Sequence, residues 1–235
     1  MKDRELFNLY ASEFGEYKAF ADYEYIRILK LMGITSEPPG QKVLDIGCGS
    51  GVFSGFLSDL GFEVVGIDIS DGLIKVGKKN LANKNVKLIW GNFLEYNFNE
   101  KFDIIFCADI IHHLIKNIEQ VVEKIDSLLK PGGKLYIFEP PNGLRHKILV
   151  FLHTYLGKRE LECTEEEDAI DVNLLDKMFL SMGYKKVKYV TIMRIKERKP
   201  IFKKFLMKVF YNFKKIFSYW VLPHPHVIIK YIKYD

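Results

Sequence analysis

The chain has 235 residues, 48% of them hydrophobic, and carries a net charge of +5 with a pI near 8.8. That length suits one domain with a substantial core, and the charge is too mild to argue for nucleic acid, so none is expected as a partner. The N-terminal stretch is charged and has no apolar core of its own, and no run reaches about 18 apolar residues, so neither a signal peptide nor a membrane-spanning helix is expected. Cys48, Cys107 and Cys163 show no C-x-x-C spacing and are read as reduced thiols of a cytoplasmic protein.

Residues 1–33 read as one or two helices, with Tyr23, Ile26 and Leu29 at helical spacing and Gly33 suited to the end of the second. Pro38-Pro39-Gly40 breaks the chain before a first strand, Val43-Leu44-Asp45-Ile46. The strand feeds a turn with Gly47, Gly49 and Gly51, and a helix starts near Val52. Such a strand, glycine turn and helix N-terminus can hold a nucleotide-like ligand. The dinucleotide fingerprint G-x-G-x-x-G is not met, since Val52 stands at the third glycine position. Asp45 sits two residues before the first glycine, where a carboxylate repels a pyrophosphate and suits an ammonium group. A second strand, Glu63–Ile67, ends at Asp68, roughly 20 residues past the glycines, where an acid accepts hydrogen bonds from ribose hydroxyls. Two carboxylates around a glycine turn suit S-adenosylmethionine, which has a ribose, an ammonium and a sulfonium but no phosphate.

Ser70 can cap a helix running to about Ala82, and Val86–Trp90 forms the third strand. Phe102–Cys107 is a nearly continuous apolar run, as a buried parallel strand requires. Ala108-Asp109-Ile110-Ile111-His112-His113 follows it at the carboxyl end, where sheets of this kind bind ligands. A helix over 117–129 ends at the turn Pro131-Gly132-Gly133, and Lys134–Phe138 is the fifth strand. Beyond the extended segment Glu139-Pro140-Pro141-Asn142, the pattern predicts helices over 144–156 and 172–182 and strands over 185–192 and 227–232. The alternation of strand and helix argues an α/β fold with a mostly parallel sheet and helices on both faces.

VLDIGCGSG followed by VVGIDIS resembles the class I S-adenosylmethionine-dependent methyltransferases, most closely the branch of the ubiquinone and menaquinone biosynthesis enzymes. The resemblance covers roughly residues 40–140. It implies a Rossmann-like seven-stranded sheet of order 3-2-1-4-5-7-6, with the last two strands antiparallel. It also implies a single domain over 1–235: a helical lid over 1–38, the cofactor-binding core over 40–140, and acceptor-side insertions over 141–170 and 195–222. Phe14, Tyr17 and Tyr23 are lid residues by that resemblance. The implied cofactor is S-adenosyl-L-methionine, held by Asp45, Gly47, Cys48, Gly49, Gly51, Asp68, Ile69, Asn92, Phe93 and Ala108. In this picture Asn92 bonds the adenine amine, while Phe93 and Ile69 pack on the two faces of the ring.

Methyl transfer from a sulfonium needs alignment and exclusion of water, and a base only where the acceptor carries a proton to lose. His112 and His113 are the catalytic candidates. Asp109, His112 and His113 also sit where some quinone-pathway O-methyltransferases carry metal ligands, but His112 replaces an acid there and no metal is expected. The last distinctive segment is 199–222. Along a helix from Phe202, nine apolar residues ending at Trp220 fall within an arc of roughly 140°, with Lys203, Lys204, Lys208, Lys214 and Lys215 opposite. That pattern suits a helix at a membrane interface, and it equally suits packing on the sheet or on a partner. The expectation is therefore a cytoplasmic methyltransferase of a small hydrophobic or lipid-linked acceptor, docking at the inner membrane surface through 199–222. The alternatives are a soluble metabolite or sugar as acceptor, a non-catalytic S-adenosylmethionine-binding partner protein, and a nicotinamide dehydrogenase.

Overall fold

The computed structural model describes residues 18–140, 170–194 and 224–234. Phe14, Tyr17, the helix expected over 144–156 and the segment 199–222 lie outside these residues. The described elements are α1 (Lys18–Met32), β1 (Lys42–Ile46), α2 (Val52–Asp59), β2 (Glu63–Asp68), α3 (Asp71–Asn80), β3 (Val86–Trp90), β4 (Phe102–Ala108), α4 (Ile118–Leu128), β5 (Leu129–Glu139), α5 (Val172–Ser181), β6 (Tyr184–Arg194) and β7 (His224–Lys233).

The seven strands form one sheet in the order β3-β2-β1-β4-β5-β7-β6, as the resemblance implied. β1 to β5 run parallel. β7 runs antiparallel to both β5 and β6. Successive side chains of a strand point to opposite faces, so an apolar run in a covered sheet feeds two cores at once. Leu44, Ile105, Cys107, Ile137 and Ile229 face the layer of α4 and α5, where Val121, Val122, Ile125 and Phe179 are buried. Val43, Ile104, Phe106, Phe138 and Ile228 face the other layer, with Ile28, Leu29 and Met32 of α1 and Leu57 of α2. The second half of α1 therefore packs on the sheet through Ile28, Leu29 and Met32, while the side chain of Tyr23 lies outside what the structure describes.

Local signals explain the helix ends. Gly33, at φ 79°, closes α1 with its N–H on the carbonyls of Leu29 and Lys30. Ser70 caps α3 by accepting from the Leu73 N–H at 3.2 Å, and Asp171 caps α5 by accepting from Asn173 at 2.9 Å.

Two boundaries differ from expectation. β5 starts at Leu129, which pairs with Phe102, and the Pro-Gly-Gly sequence is an irregularity inside the strand rather than a turn before it. Gly132, at φ 70°, lets the chain make that irregularity. β7 starts at His224, so Pro225 lies within it and pairs in register with Met193. The ladder to β5 begins only at Val227, opposite Glu139, so the proline sits where β7 has one neighbouring strand.

Candidate functional site

The carboxyl ends of β1, β2, β4 and β5 meet at one edge of the sheet, and four acids stand on them: Asp45, Asp68, Asp109 and Glu139. The glycine turn is fastened to β2 by the N–H groups of Gly47 and Cys48, which both donate to the Ile67 carbonyl at 2.9 and 3.1 Å. Gly47 has φ 70°, and a Cβ there would meet Ile110 Cγ1 at 2.4 Å. Glycine at this position thus lets the β4 connection close over the turn.

Asp68 holds the turn from the other side. Its carboxylate accepts from the Gly49 N–H and the Ser70 N–H, both at 2.8 Å. Burial pushes its pKa up, while those two N–H donors and nearby His113 act against the rise. Asp45 lies beneath the turn, 2% exposed, and accepts from the Ser54 hydroxyl at 2.6 Å. Burial pushes its carboxyl up to about 7, against the Ser54 bond and aided by the charge of Asp68. Cys48 is buried behind the turn, and burial likewise pushes its thiol up, which keeps it in the thiol form. Ala108 ends β4 beside this turn.

The expected base-binding corner is arranged differently from the sequence reading. Asn92 is engaged locally: its Oδ1 accepts from the Leu94 N–H at 3.0 Å and its Nδ2 donates to Glu95 at 2.9 Å. That turn drives Phe93 inward, where it is 6% exposed, 6.4 Å from the ring of Phe98 and with the Lys124 ammonium 5.5 Å from its centroid. The Phe93 ring is thus largely enclosed by protein. The apolar groups at the surface here are Ile69, 41% exposed, and Trp90, 54% exposed, whose indole N–H donates to the Ile69 carbonyl at 3.1 Å. Trp90 was passed over in the sequence because it reads as the last residue of a strand.

On the other side of the turn, His112 and His113 sit together on a short 3-10 turn, Ile111–His113, with ring centroids 4.1 Å apart. Glu139, fully buried at the end of β5, organises this turn. One carboxylate oxygen accepts the N–H groups of Ile110 and Ile111 at 2.7 and 2.6 Å, and the other accepts from His112 Nδ1 at 2.6 Å. A carboxylate only accepts, so Nδ1 carries a proton, and in the neutral form of the ring Nε2 is the basic nitrogen. Sequence reasoning placed Glu139 in an extended segment without a role. The signal was a charged residue closing the apolar strand Leu135–Phe138. A second pair, Asp109 Oδ1 with His226 Nε2 at 3.0 Å, joins the end of β4 to β7. Among the described residues no three His, Cys, Asp or Glu side chains are grouped to hold a metal ion.

The set fits S-adenosylmethionine. A glycine turn leaves room for close approach, the Asp68 carboxylate stands beside that turn, Ile69 presents an apolar surface next to it, and the acids suit a cationic ligand rather than a phosphate.

Comparison with known proteins agrees with this chemistry. Residues 44–137 match the family model described as a methyltransferase domain. The ubiquinone biosynthesis O-methyltransferase of Glaesserella parasuis serovar 5 is 29% identical over 131 residues, covering 52% of this chain and 55% of that protein. The enzyme of the same description from Xanthomonas axonopodis pv. citri is 31% identical over 113 residues, covering 46% and 47%. The chain thus spans about half the length of the curated relatives it matches. Among solved structures, a chain of the complex between the Haloferax volcanii Trm112 methyltransferase activator and a methyltransferase superposes with TM-score 0.69 at 16% identity, covering 97% of this chain and 98% of that one. Magnesium protoporphyrin IX methyltransferase from Synechocystis PCC 6803, with bound S-adenosylhomocysteine, gives 0.61 at 16% identity, covering 90% and 82%. At these identities the structural likenesses speak to the fold alone.

Proposed function

We propose that this chain, whose residues 44–137 belong to the methyltransferase-domain family, transfers a methyl group from S-adenosylmethionine to a hydroxyl of a small hydrophobic acceptor. The observation that carries the reading is the Glu139–His112 pair beside the glycine turn. Bound S-adenosylmethionine supplies an electrophilic methyl group on a good, neutral leaving group. The protein then has to orient the acceptor, exclude water and remove one proton.

The residues divide that work. Asp68 and the glycine turn bind the nucleoside, with Ile69 beside the base and Asp45 supporting the turn from below. His112, held by Glu139 with Nε2 basic, takes the acceptor proton as the oxygen attacks in line with the breaking carbon–sulfur bond. The bond electrons stay on sulfur, the methyl carbon joins the acceptor oxygen, and His112 ends protonated beside the Glu139 carboxylate. His113 lies on the Asp68 side and is assigned to the pocket wall.

A hydroxyl acceptor is favoured over an acidic carbon or an amine because the curated relatives are O-methyltransferases of ubiquinone biosynthesis. The same relatives support a quinone-related acceptor, hydrophobic or lipid-linked, and the basic, aromatic stretch 199–222 supports docking at a membrane surface. Among the described residues no helix is long and apolar enough to cross a membrane.

The test is to incubate the protein with methyl-labelled S-adenosylmethionine and an extract of its own cells, then separate organic, aqueous and macromolecular fractions. Enzyme-dependent label in the organic phase is expected. Label only in the aqueous fraction would move the acceptor to a soluble metabolite. Absence of label in every fraction, with S-adenosylhomocysteine still bound, would replace the enzyme by a binding protein. Unchanged transfer from His112→Ala, His112→Gln, His113→Ala and His113→Gln would remove both histidines from the mechanism.

A further inference from the structure

Asp109 is the one described residue other than glycine with a positive φ, 52°. L residues with a side chain seldom adopt that conformation, and a residue held there at a ligand site points to a constraint worth its strain. Two contacts supply the constraint. The Asp109 N–H donates to the Phe138 carbonyl at 2.9 Å, and its carboxylate accepts from His226 Nε2 at 3.0 Å. His226 is itself fixed, 6% exposed and stacked on Phe138 with ring centroids 4.5 Å apart and planes 16° apart. The next residues along the chain are Ile110 and Ile111, whose N–H groups are held by Glu139, and then His112. The connection after β4 is therefore gripped at its entry from β7 and in its middle from β5.

We propose that His226 and Asp109 are positioning residues for His112: they clamp the left-handed entry of the Ile110–His113 turn, so that the His112 ring meets Glu139 in one orientation and one tautomer. The functional meaning rests on His112 being the proton acceptor proposed above. The geometric claim is independent of the reaction. It also ties the catalytic turn to β7, two strands away from β4 in the sheet.

The experiment reads the histidine rings directly, by long-range proton–nitrogen spectra of the full-length 15N-labelled protein, with His112 assigned by its loss in His112→Gln. Wild type is expected to show a protonated Nδ1 and an unprotonated Nε2. In His226→Gln and in Asp109→Gly, where the backbone is relaxed but the clamp is gone, the two nitrogen shifts are expected to move toward each other as tautomers mix. Asp109→Asn keeps an acceptor for His226 and tolerates the left-handed backbone, so it should restore the separated pattern. Methyl transfer into cell extract should fall about tenfold to a hundredfold in His226→Gln and Asp109→Gly, as displacement of a reacting group does. A His112 pattern identical to wild type in both of those variants overturns the proposal, as does a wild-type His112 already divided between tautomers. Titration with S-adenosylhomocysteine is the separate control. Failure of the wild type to bind it would sink the methyltransferase reading while leaving the ring comparison to decide the clamp.

Discussion

Replacing Glu139 with glutamine changes one atom and removes one charge from a fully buried group that three donors share. The amide oxygen can still accept from the Ile110 and Ile111 N–H groups, but as a neutral acceptor. The amide nitrogen then faces His112 Nδ1, and two donors cannot bond, so the imidazole must move its proton to Nε2 and lose its basic nitrogen there. Hydrogen bonds to a charged group contribute roughly 1.5–3 kcal/mol each and neutral ones about 1 kcal/mol. Weakening two bonds and exchanging the third therefore amounts to about 3 kcal/mol. For a chain of 235 residues that corresponds to a melting temperature lower by roughly 6–12 °C. Domain stabilities are about 5–15 kcal/mol, so the variant should still fold. Loss of the general base should lower transfer about a hundredfold or more, with S-adenosylhomocysteine affinity unchanged. Calorimetric melting, ligand titration and label transfer would be run on the same preparation. A Glu139→Gln protein with wild-type melting temperature and wild-type transfer would refute both the energetic account and the assignment of His112.

Gly47→Ala places a Cβ against Ile110 at φ 70°, adding about 1–2 kcal/mol of backbone strain to the overpacking; S-adenosylhomocysteine affinity should drop about tenfold or more, and an unchanged titration would contradict the close approach. Asp45 has an acid pKa raised by burial from 3.8 to about 7, so its ionisation destabilises the native state progressively between those values as pH rises. Asp45→Asn, which can keep the Ser54 bond, should therefore gain stability relative to wild type between pH 5 and pH 8, by at most about 3 kcal/mol; a difference that does not vary with pH would show that Asp45 ionises normally. Glu37 is the opposite case. Burial would raise its pKa, but bonds from Lys134, Tyr136 and Lys230 outweigh it and hold it low, so its stabilisation is present above its ordinary value of 4.5 and is lost as pH falls through the depressed pKa. Glu37→Gln should melt lower at neutral pH, with the gap narrowing in acid and ligand affinity untouched; a constant gap would argue against the ion cluster.

The strands that the sequence showed most clearly, β1, β2 and β4, are apolar runs bounded by polar or glycine residues, and periodicity suffices for them. β5 and β7 were read short because proline and glycine are local stop signals, while strand pairing is decided by neighbours. Leu129 has Phe102 to pair with, and Pro225 sits where only β6 needs a partner. The same division governs the site. Asp68 and the glycines announce themselves by spacing within one strand–turn–strand unit. Glu139 with His112 is 27 residues apart and Asp109 with His226 is 117 apart, and only the sheet order brings them together. The orientation of Phe93 is a further case: the Asn92 turn decides which way the following side chain points, and residue type alone does not carry that direction.

The antiparallel β7 has a consequence for how such a protein can change. Arg194 and His224 are partners in register, so the chain leaves the sheet and returns to it at one closed base, on the edge where the acids and histidines stand. The entropy of closing a loop rises only by about 0.6 kcal/mol when its length doubles. The β6–β7 register that begins at Arg194 and His224 is therefore compatible with connections of many lengths, and the acids and histidines at that edge are held by strands whose pairing does not depend on that length.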